Sequence, residues 1–343
     1  MKTLSEIINK IKIISVTGDD KKMIESLTID SRTAAENSVY FAVKGTNTDG
    51  HDYIESAINS GATAVVCENI PAIINDNCTY VVVEDVAKTV GKIASAFYDE
   101  PSEKLQLIGI TGTNGKTSTA TMLYDLFVSL GHDCGLVSTI EYRIKGNIFK
   151  STHTTPDAIR LNAMMKEMVD AGCGYCFMEV SSHAIVQDRI GGLTFKGGVF
   201  TNITHDHLDY HGTFDNYIKA KKLFFDNLGR DAFALTNRDD KNGMVMLQNT
   251  KASKYSYSLR TMADFRLKVL ESDFNGMLLK IDEDEAWFNM VGNFNAYNIL
   301  AVYSTAFILD VPRMDIITKM TLLGRVNGRF EVYRSAGKIT GIV

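Results

Sequence analysis

The stretch Gly109-Ile110-Thr111-Gly112-Thr113-Asn114-Gly115-Lys116-Thr117-Ser118 decides how this chain is read. It follows the apolar run Leu105-Gln106-Leu107-Ile108 and leads into residues 119–127, whose apolar spacing is helical. Strand, glycine loop and helix in that order aim free backbone N–H groups and a helix N-terminus at a phosphate. Lys116 is then placed to reach the outer phosphates, and the Thr117 hydroxyl to ligate magnesium. The general pattern asks for glycine at position 110, which is Ile here, while Gly112 stands nearer the lysine. The plainer reading is a glycine turn between a strand and a helix. The intact Gly-Lys-Thr in this context favours a phosphate loop.

Bulk properties fit that reading. A chain of 343 residues, 45% of them hydrophobic, is long enough for two domains with cores. A formal net charge of -5 argues against nucleic acid or an anionic membrane as the main partner. Residues 1–25 lack the apolar core of a signal peptide, and no run reaches transmembrane length, so a cytoplasmic enzyme is expected. Five cysteines suggest reduced thiols rather than a disulfide framework. Cys173 and Cys176 form a C-x-x-C with no second pair to complete a zinc site, and read as buried structural thiols.

The pattern divides the chain into a small α/β domain over 1–99, a larger domain over 100–331 and the start of a linker over 332–343. In the first domain, residues 27–29, 39–43, 64–67 and 80–83 are strand-like, while 52–60 and 86–98 have helical periodicity. The polar, proline-bearing stretch 98–103 is the expected boundary. Beyond the glycine loop, 136–139, 175–180, 198–203 and 232–236 read as strands, several apolar throughout, as parallel strands buried on both faces are. Helices are expected over 214–227 and 295–308, and an antiparallel excursion over 266–281 and 286–291. The fold class is therefore α/β: a small N-terminal α/β domain followed by a P-loop domain with a mostly parallel, doubly wound sheet.

Such sheets present functional groups at the C-terminal ends of their strands. Two ends are loaded. Residues 175–183 place Glu179 at the end of an apolar strand, followed by Ser181, Ser182 and His183. Residues 205–211 then hold three histidines and two aspartates: His205-Asp206-His207-Leu208-Asp209-Tyr210-His211. This second cluster approaches the H-x-H-x-D-H signature of dinuclear zinc hydrolases, but position 210 is Tyr. The phosphate loop upstream favours magnesium ligands at a nucleotide instead, with His205 a bystander.

Together, Gly112–Thr117, the Glu179-Val180-Ser181-Ser182-His183 strand end and the Asp206–His211 cluster resemble the Mur ligases. These are the ATP-dependent amide-forming enzymes of peptidoglycan precursor synthesis. The pieces Asp30-Ser31-Arg32, His153-Thr154-Thr155-Pro156-Asp157 and 181–189 resemble the branch that adds a third residue, a diamino acid, to UDP-N-acetylmuramoyl-L-alanyl-D-glutamate. Folylpolyglutamate synthetases share the loop, but the paired threonines and Ser-Ser-His-Ala fit them poorly. The resemblance implies that ATP phosphorylates the D-glutamate side-chain carboxylate and that an amine displaces the phosphate. It also implies a monomer, and a third, Rossmann-like domain that would begin where this chain ends, leaving the chain a fragment inactive on its own.

Site residues follow from the same resemblance. ATP is assigned to Gly112, Thr113, Asn114, Gly115, Lys116, Thr117, Ser118, Asn295, Asn298 and Arg329. Magnesium is assigned to Thr117, Glu179 and His207, with Lys221 as a further ligand after carbon dioxide converts it to a carbamate. Lys116, Lys221, Glu179 and His207 form the implied catalytic set. The carbamylated lysine of the family lies four residues past the tyrosine of this helix, which selects Lys221 after Tyr217, with Lys219 and Lys222 pointing elsewhere into solvent. A carbamate forms on a neutral amine, so burial or a nearby cation should lower the pKa of that lysine. Ile29, Ser31, Thr46, Asn47 and Thr48 are assigned to the uridine diphosphate end of the substrate. His153, Thr154, Thr155, Ser181, Gln187 and Arg189 are assigned to its muramoyl-peptide end.

Overall fold

Alternation explains the first part of the chain. Odd and even residues of 38–41 and 79–83 are buried alike, so each strand carries apolar groups to both faces of a sheet. The computed structural model describes residues 1–45, 48–150, 155–323, 332–334 and 340–342. Thr46, Asn47, His153, Thr154 and Arg329 lie outside the described residues. Contacts gather the chain into two units: 1–104, 156–167 and 186–193 in one, 105–155, 168–185 and 194–343 in the other. The dividing point is 104/105 rather than 99/100, because Pro101 and Ser102, read as an open break, are buried in the short turn Pro101–Lys104. The stretches 156–167 and 186–193 also group with the first unit, which a single cut in the sequence does not express.

The first unit holds a five-stranded sheet in the order Ile13–Thr17, Thr79–Val83, Ala62–Cys67, Ser38–Phe41, Ser26–Thr28, besides the short pair Lys2–Thr3 and Met23–Ile24. Only Ile13–Thr17 runs antiparallel to its neighbour. Val39, Phe41, Val81 and Val83 pack on one face with Val90, Ile93 and Ala94 of the helix Ala87–Phe97. Tyr40, Val65, Tyr80 and Val82 pack on the other with Ile54 and Ala57 of the helix Ile54–Asn59. The edge strand Ile13–Thr17 is mostly exposed, so it carries none of the apolar pattern that marks its neighbours.

The second unit is built on eleven strands. Seven are parallel, in the order Cys134–Val137, Tyr175–Glu179, Gln106–Thr111, Gly197–Phe200, Phe233–Asn237, Ser253–Ser258, Phe265–Ser272. An antiparallel hairpin, Glu141–Ile144 with Asn147–Lys150, extends one edge. The strands Met277–Ile281 and Asp284–Phe288 extend the other, also antiparallel. Helices Lys116–Ser129 and Asn293–Ile308 pack together, with Leu123, Phe127, Ile299 and Val302 in one apolar cluster. The register then positions the site: Glu179 lies opposite Ile110 and Phe200 opposite Thr111, so both neighbouring strands end where the glycine loop begins. Within the stretch expected to open a linker, the described residues Val332–Arg334 and Thr340–Ile342 form an antiparallel pair.

Candidate active site

The loop after Gln106–Thr111 holds its shape through two glycines and the strand beside it. Gly112 and Gly115 adopt φ of 153° and 85°, and Gly115 caps the helix Lys116–Ser129. A Cβ at Gly112 would collide with the Thr201 hydroxyl, and one at Gly115 with the Asn298 side chain. The Asn202 carbonyl accepts from the Thr113 N–H at 2.8 Å, and its side-chain oxygen accepts from the Asn114 N–H at 3.0 Å. The Thr201 hydroxyl donates to the Asn114 carbonyl at 2.6 Å. Sequence reasoning missed Thr201 and Asn202, although a Thr-Asn pair just past an apolar strand was a usable signal.

A cavity of about 730 Å³ opens at this loop. Residues 113–118, Glu179 and Asn298 line it, together with residues the sequence did not single out, among them Thr139, Asp239, Arg260 and Tyr297. The Lys116 ammonium donates to the carbonyls of Gly112 and Thr113 at 3.0 and 2.8 Å, folded onto its own loop. Thr117 is buried beside it. Glu179 is completely buried, and its carboxylate accepts from the Thr139 N–H at 2.8 Å and from the Thr139 hydroxyl at 3.2 Å. Thr155, assigned above to substrate, is 1% exposed, and its hydroxyl donates to the Glu179 carbonyl at 3.1 Å. Ser181 is half-buried, and its hydroxyl caps the helix Ser182–Val186 by accepting from the Ala184 N–H at 3.1 Å.

On the far wall Asp239 accepts bonds from the Ser258 hydroxyl, the Leu259 and Arg260 N–H groups and the Tyr297 hydroxyl. Burial pushes its carboxyl up, but the bonds from Ser258, Leu259, Tyr297 and Thr261 outweigh this and hold it below its usual range. Asn298 is buried on the cavity wall. Asn295 is not among the lining residues: its amide spans from the Val291 carbonyl to the Asn298 side chain, at 2.9 and 3.2 Å.

Lys221 lies on the helix Phe214–Asp226 and is 1% exposed. Its ammonium donates to the Gly112 carbonyl at 2.9 Å and stands 4.6 Å over the Tyr217 ring. Burial first, then nearby Lys116, holds it well below the usual lysine range. Lys219 is exposed, as expected. Lys222 is not solvated: it is largely buried and paired with Asp226 at 2.6 Å. His207 sits at φ 52° with its ring edge-on to His183 and to Tyr217, centroids 5.1 and 6.1 Å away, and does not line the cavity. His205 stacks on Phe214, and His211 is buried against the Ser182 hydroxyl at 2.9 Å. Among the described residues no three His, Cys, Asp or Glu converge on a metal position, so the dinuclear zinc pattern has no geometric counterpart. Cys173 and Cys176 are buried free thiols that burial pushes above their usual range.

The remaining candidates lie in the first unit. Ile29 is exposed and Ser31 buried, in a turn capped by Asp30, whose carboxyl the Arg32 guanidinium brings down to about 2. The Thr48 carbonyl accepts from the Gly45 N–H at 2.9 Å. The Gln187 side chain accepts two bonds from the Arg189 guanidinium, at 2.9 and 2.6 Å.

Comparison with known proteins agrees with this arrangement. The family model described as Mur ligase middle domain matches residues 110–306, and that described as Mur ligase family, catalytic domain matches 23–98. The UDP-N-acetylmuramoyl-L-alanyl-D-glutamate--2,6-diaminopimelate ligase of Cytophaga hutchinsonii is 52% identical over 99% of this chain, which spans 70% of that protein. The protein of the same name from Phocaeicola vulgatus is 50% identical, with the same coverage. A solved structure of a ligase of that name superposes with a TM-score of 0.84 over 98% of this chain and 69% of its own, at 24% identity, a likeness of fold. The chain belongs to the Mur ligase family.

Proposed function

We propose that this chain supplies the ATP and UDP-substrate sites of an ATP-dependent enzyme that joins an amino acid to UDP-N-acetylmuramoyl-L-alanyl-D-glutamate, and that the amino acid is 2,6-diaminopimelate; the chain spans 70% of the relative that carries this reading. The observation that carries the substrate is the 52% identity, over nearly the whole chain, to a ligase named for that reaction. ATP phosphorylates the D-glutamate side-chain carboxylate, the amine attacks the resulting acyl phosphate, and phosphate leaves. A carboxylate meeting a triphosphate is a like-charge encounter, so the site needs positive charge at the point of transfer. Lys116, released from the Gly112 and Thr113 carbonyls, supplies one such charge to the outer phosphates.

Magnesium fits the donors present. The buried Thr117 hydroxyl and the buried Glu179 carboxylate are hard oxygen ligands on one cavity, and Glu179 has no ion-pair partner among the described residues. When bound, the ion neutralises phosphate charge. Glu179 and His207, with Lys221 as a carbamate, are assigned to a second such ion, a reading supported by the burial that favours a neutral Lys221 amine. Ile29, Ser31 and Thr48, with Thr46 and Asn47, are assigned to the uridine diphosphate end. Ser181, Gln187 and Arg189, with His153 and Thr154, are assigned to the muramoyl-peptide end. The paired bonds between Gln187 and Arg189 hold the guanidinium plane ready for a carboxylate or phosphate.

The test is ligation with the UDP-dipeptide, magnesium–ATP and either diaminopimelate, lysine or no amine, followed by mass spectrometry. Tripeptide formed only with diaminopimelate supports the proposal. Nucleotide binding without product under all conditions would reduce the chain to a nucleotide-binding module, and turnover of a folate in place of the UDP-dipeptide would overturn the substrate.

A further inference from the structure

We infer that Thr139 is a positioning residue that sets the orientation of the Glu179 carboxylate for a divalent cation bound with the nucleotide. The inference rests on the magnesium assignment proposed above and extends it to a residue that touches neither phosphate nor metal in that assignment. Among the described residues, Thr139 supplies every hydrogen bond that the Glu179 carboxylate receives. Its N–H donates to one oxygen at 2.8 Å, and its hydroxyl stands 3.2 Å from both, shared between them. The N–H bond is available to any residue at this position except proline. The hydroxyl bridge is what threonine adds. It opposes rotation of the carboxylate about its last torsion, a broad and soft one when unrestrained. The remaining lone pairs of both oxygens then keep fixed directions.

Packing does not account for threonine here. Thr139 is exposed, whereas Ser138 before it and Glu179 beneath it are fully buried. The turn that presents it is built with some care. Ser138 donates to the Glu141 carbonyl from both its N–H, at 3.0 Å, and its hydroxyl, at 2.8 Å. The Glu141 carboxylate accepts from Arg143 Nε at 2.8 Å, and Arg143 also reaches Asp125 at 3.0 Å. Asp125 belongs to the helix Lys116–Ser129, which carries Lys116 and Thr117. The hydroxyl that aims Glu179 is thus braced by the same helix that brings Thr117 to the cavity. Two hard ligands, one on a helix and one at a strand end, are held in register through one chain of polar contacts, the supporting arrangement that metal affinity depends on.

The experiment is a magnesium titration of ADP binding by isothermal calorimetry, with melting temperatures taken in EDTA. Thr139→Val, close in shape, should need about tenfold more magnesium for half-maximal ADP binding, the order expected from one lost bond to a charged acceptor. Thr139→Ser should stay near the parent, and both should melt in EDTA within about 2 °C of it. Glu179→Gln separates the two readings. If Glu179→Gln raises the magnesium requirement and Thr139→Val does not, the inference about Thr139 is wrong while the metal assignment stands. If Glu179→Gln has no effect, the assignment itself fails and Thr139 falls with it. A Thr139→Val protein that also melts much lower in EDTA would show a structural role instead, and would equally overturn the inference.

Discussion

An ammonium group shut away from water at Lys221 opposes folding, and the sign of that cost is testable. Its folded pKa lies well below that of an unfolded lysine, so the unfolded chain binds the extra proton. The cost is fully present at low pH and fades as pH rises toward the unfolded value near 10.4. In buffer freed of carbon dioxide, Lys221→Met should raise the melting temperature at neutral pH, by the few degrees that about 1–2 kcal/mol gives a chain of this size, with the gain shrinking toward pH 10. The same variant, like Lys221→Ala, should abolish ligation, and small carboxylates should partly restore the Ala variant, whereas Lys219→Ala, on the exposed face, should be mild. No gain in stability at neutral pH would mean that the buried amine is not the strained group described here. Residues differ in how far they could be read. Thr117 and Glu179 declare themselves through a motif and a strand end, while Thr139 sits in a turn whose partner is distant in sequence, and no local pattern points from one to the other.

The glycine loop and the loop over 258–261 show the same contrast at the level of elements. The first follows from its residues, and Gly115 at φ 85° beside Asn298 makes a sharp expectation. Gly115→Ala should cost about 1–2 kcal/mol of stability through backbone strain and weaken ADP binding at least about tenfold by displacing Asn298. Calorimetric binding and thermal melting check both, and unchanged ADP affinity would contradict the close approach. The second loop is organised by Asp239, which lies on another strand end, so its aspartate reads locally as an ordinary turn residue. Because its folded pKa is lowered, its stabilisation is present above the unfolded value near 3.9 and is lost as pH falls through the folded one. Asp239→Asn should therefore melt lower than the parent at pH 7, and the difference should close as pH drops below about 4. Five strands of the parallel sheet were legible because both of their faces are apolar; Ser253–Ser258, polar and partly exposed, was not, and Phe265–Ser272, expected as part of an antiparallel excursion, pairs in parallel with it. The hairpin Glu141–Ile144 with Asn147–Lys150 and the edge strand Ile13–Thr17 were not, because edge strands facing water carry no such pattern.

Two units with separate apolar clusters make a prediction for the whole molecule. Calorimetry should show a calorimetric enthalpy above the van't Hoff value, and magnesium–ADP should shift the transition that includes 105–155 and leave the other in place. A single transition moved as a whole by the nucleotide would refute this. The α/β class and the order of the two units were readable from periodicity, but the assignment of 156–167 and 186–193 to the first unit was not, since nothing local marks which sheet a helix or a turn will join. That interleaving bears on how the protein is made. A ribosome releases residues 1–104 first, yet the last segment of that unit, 186–193, follows only after the glycine loop and the Glu179 strand have emerged. At ~5–20 residues per second the earlier part waits roughly four to eighteen seconds for its closing pieces. During translation, then, the N-terminal half is exposed longest to chaperones and proteases, and substitutions that slow synthesis between 105 and 193 should lower yield without touching any residue of the finished site.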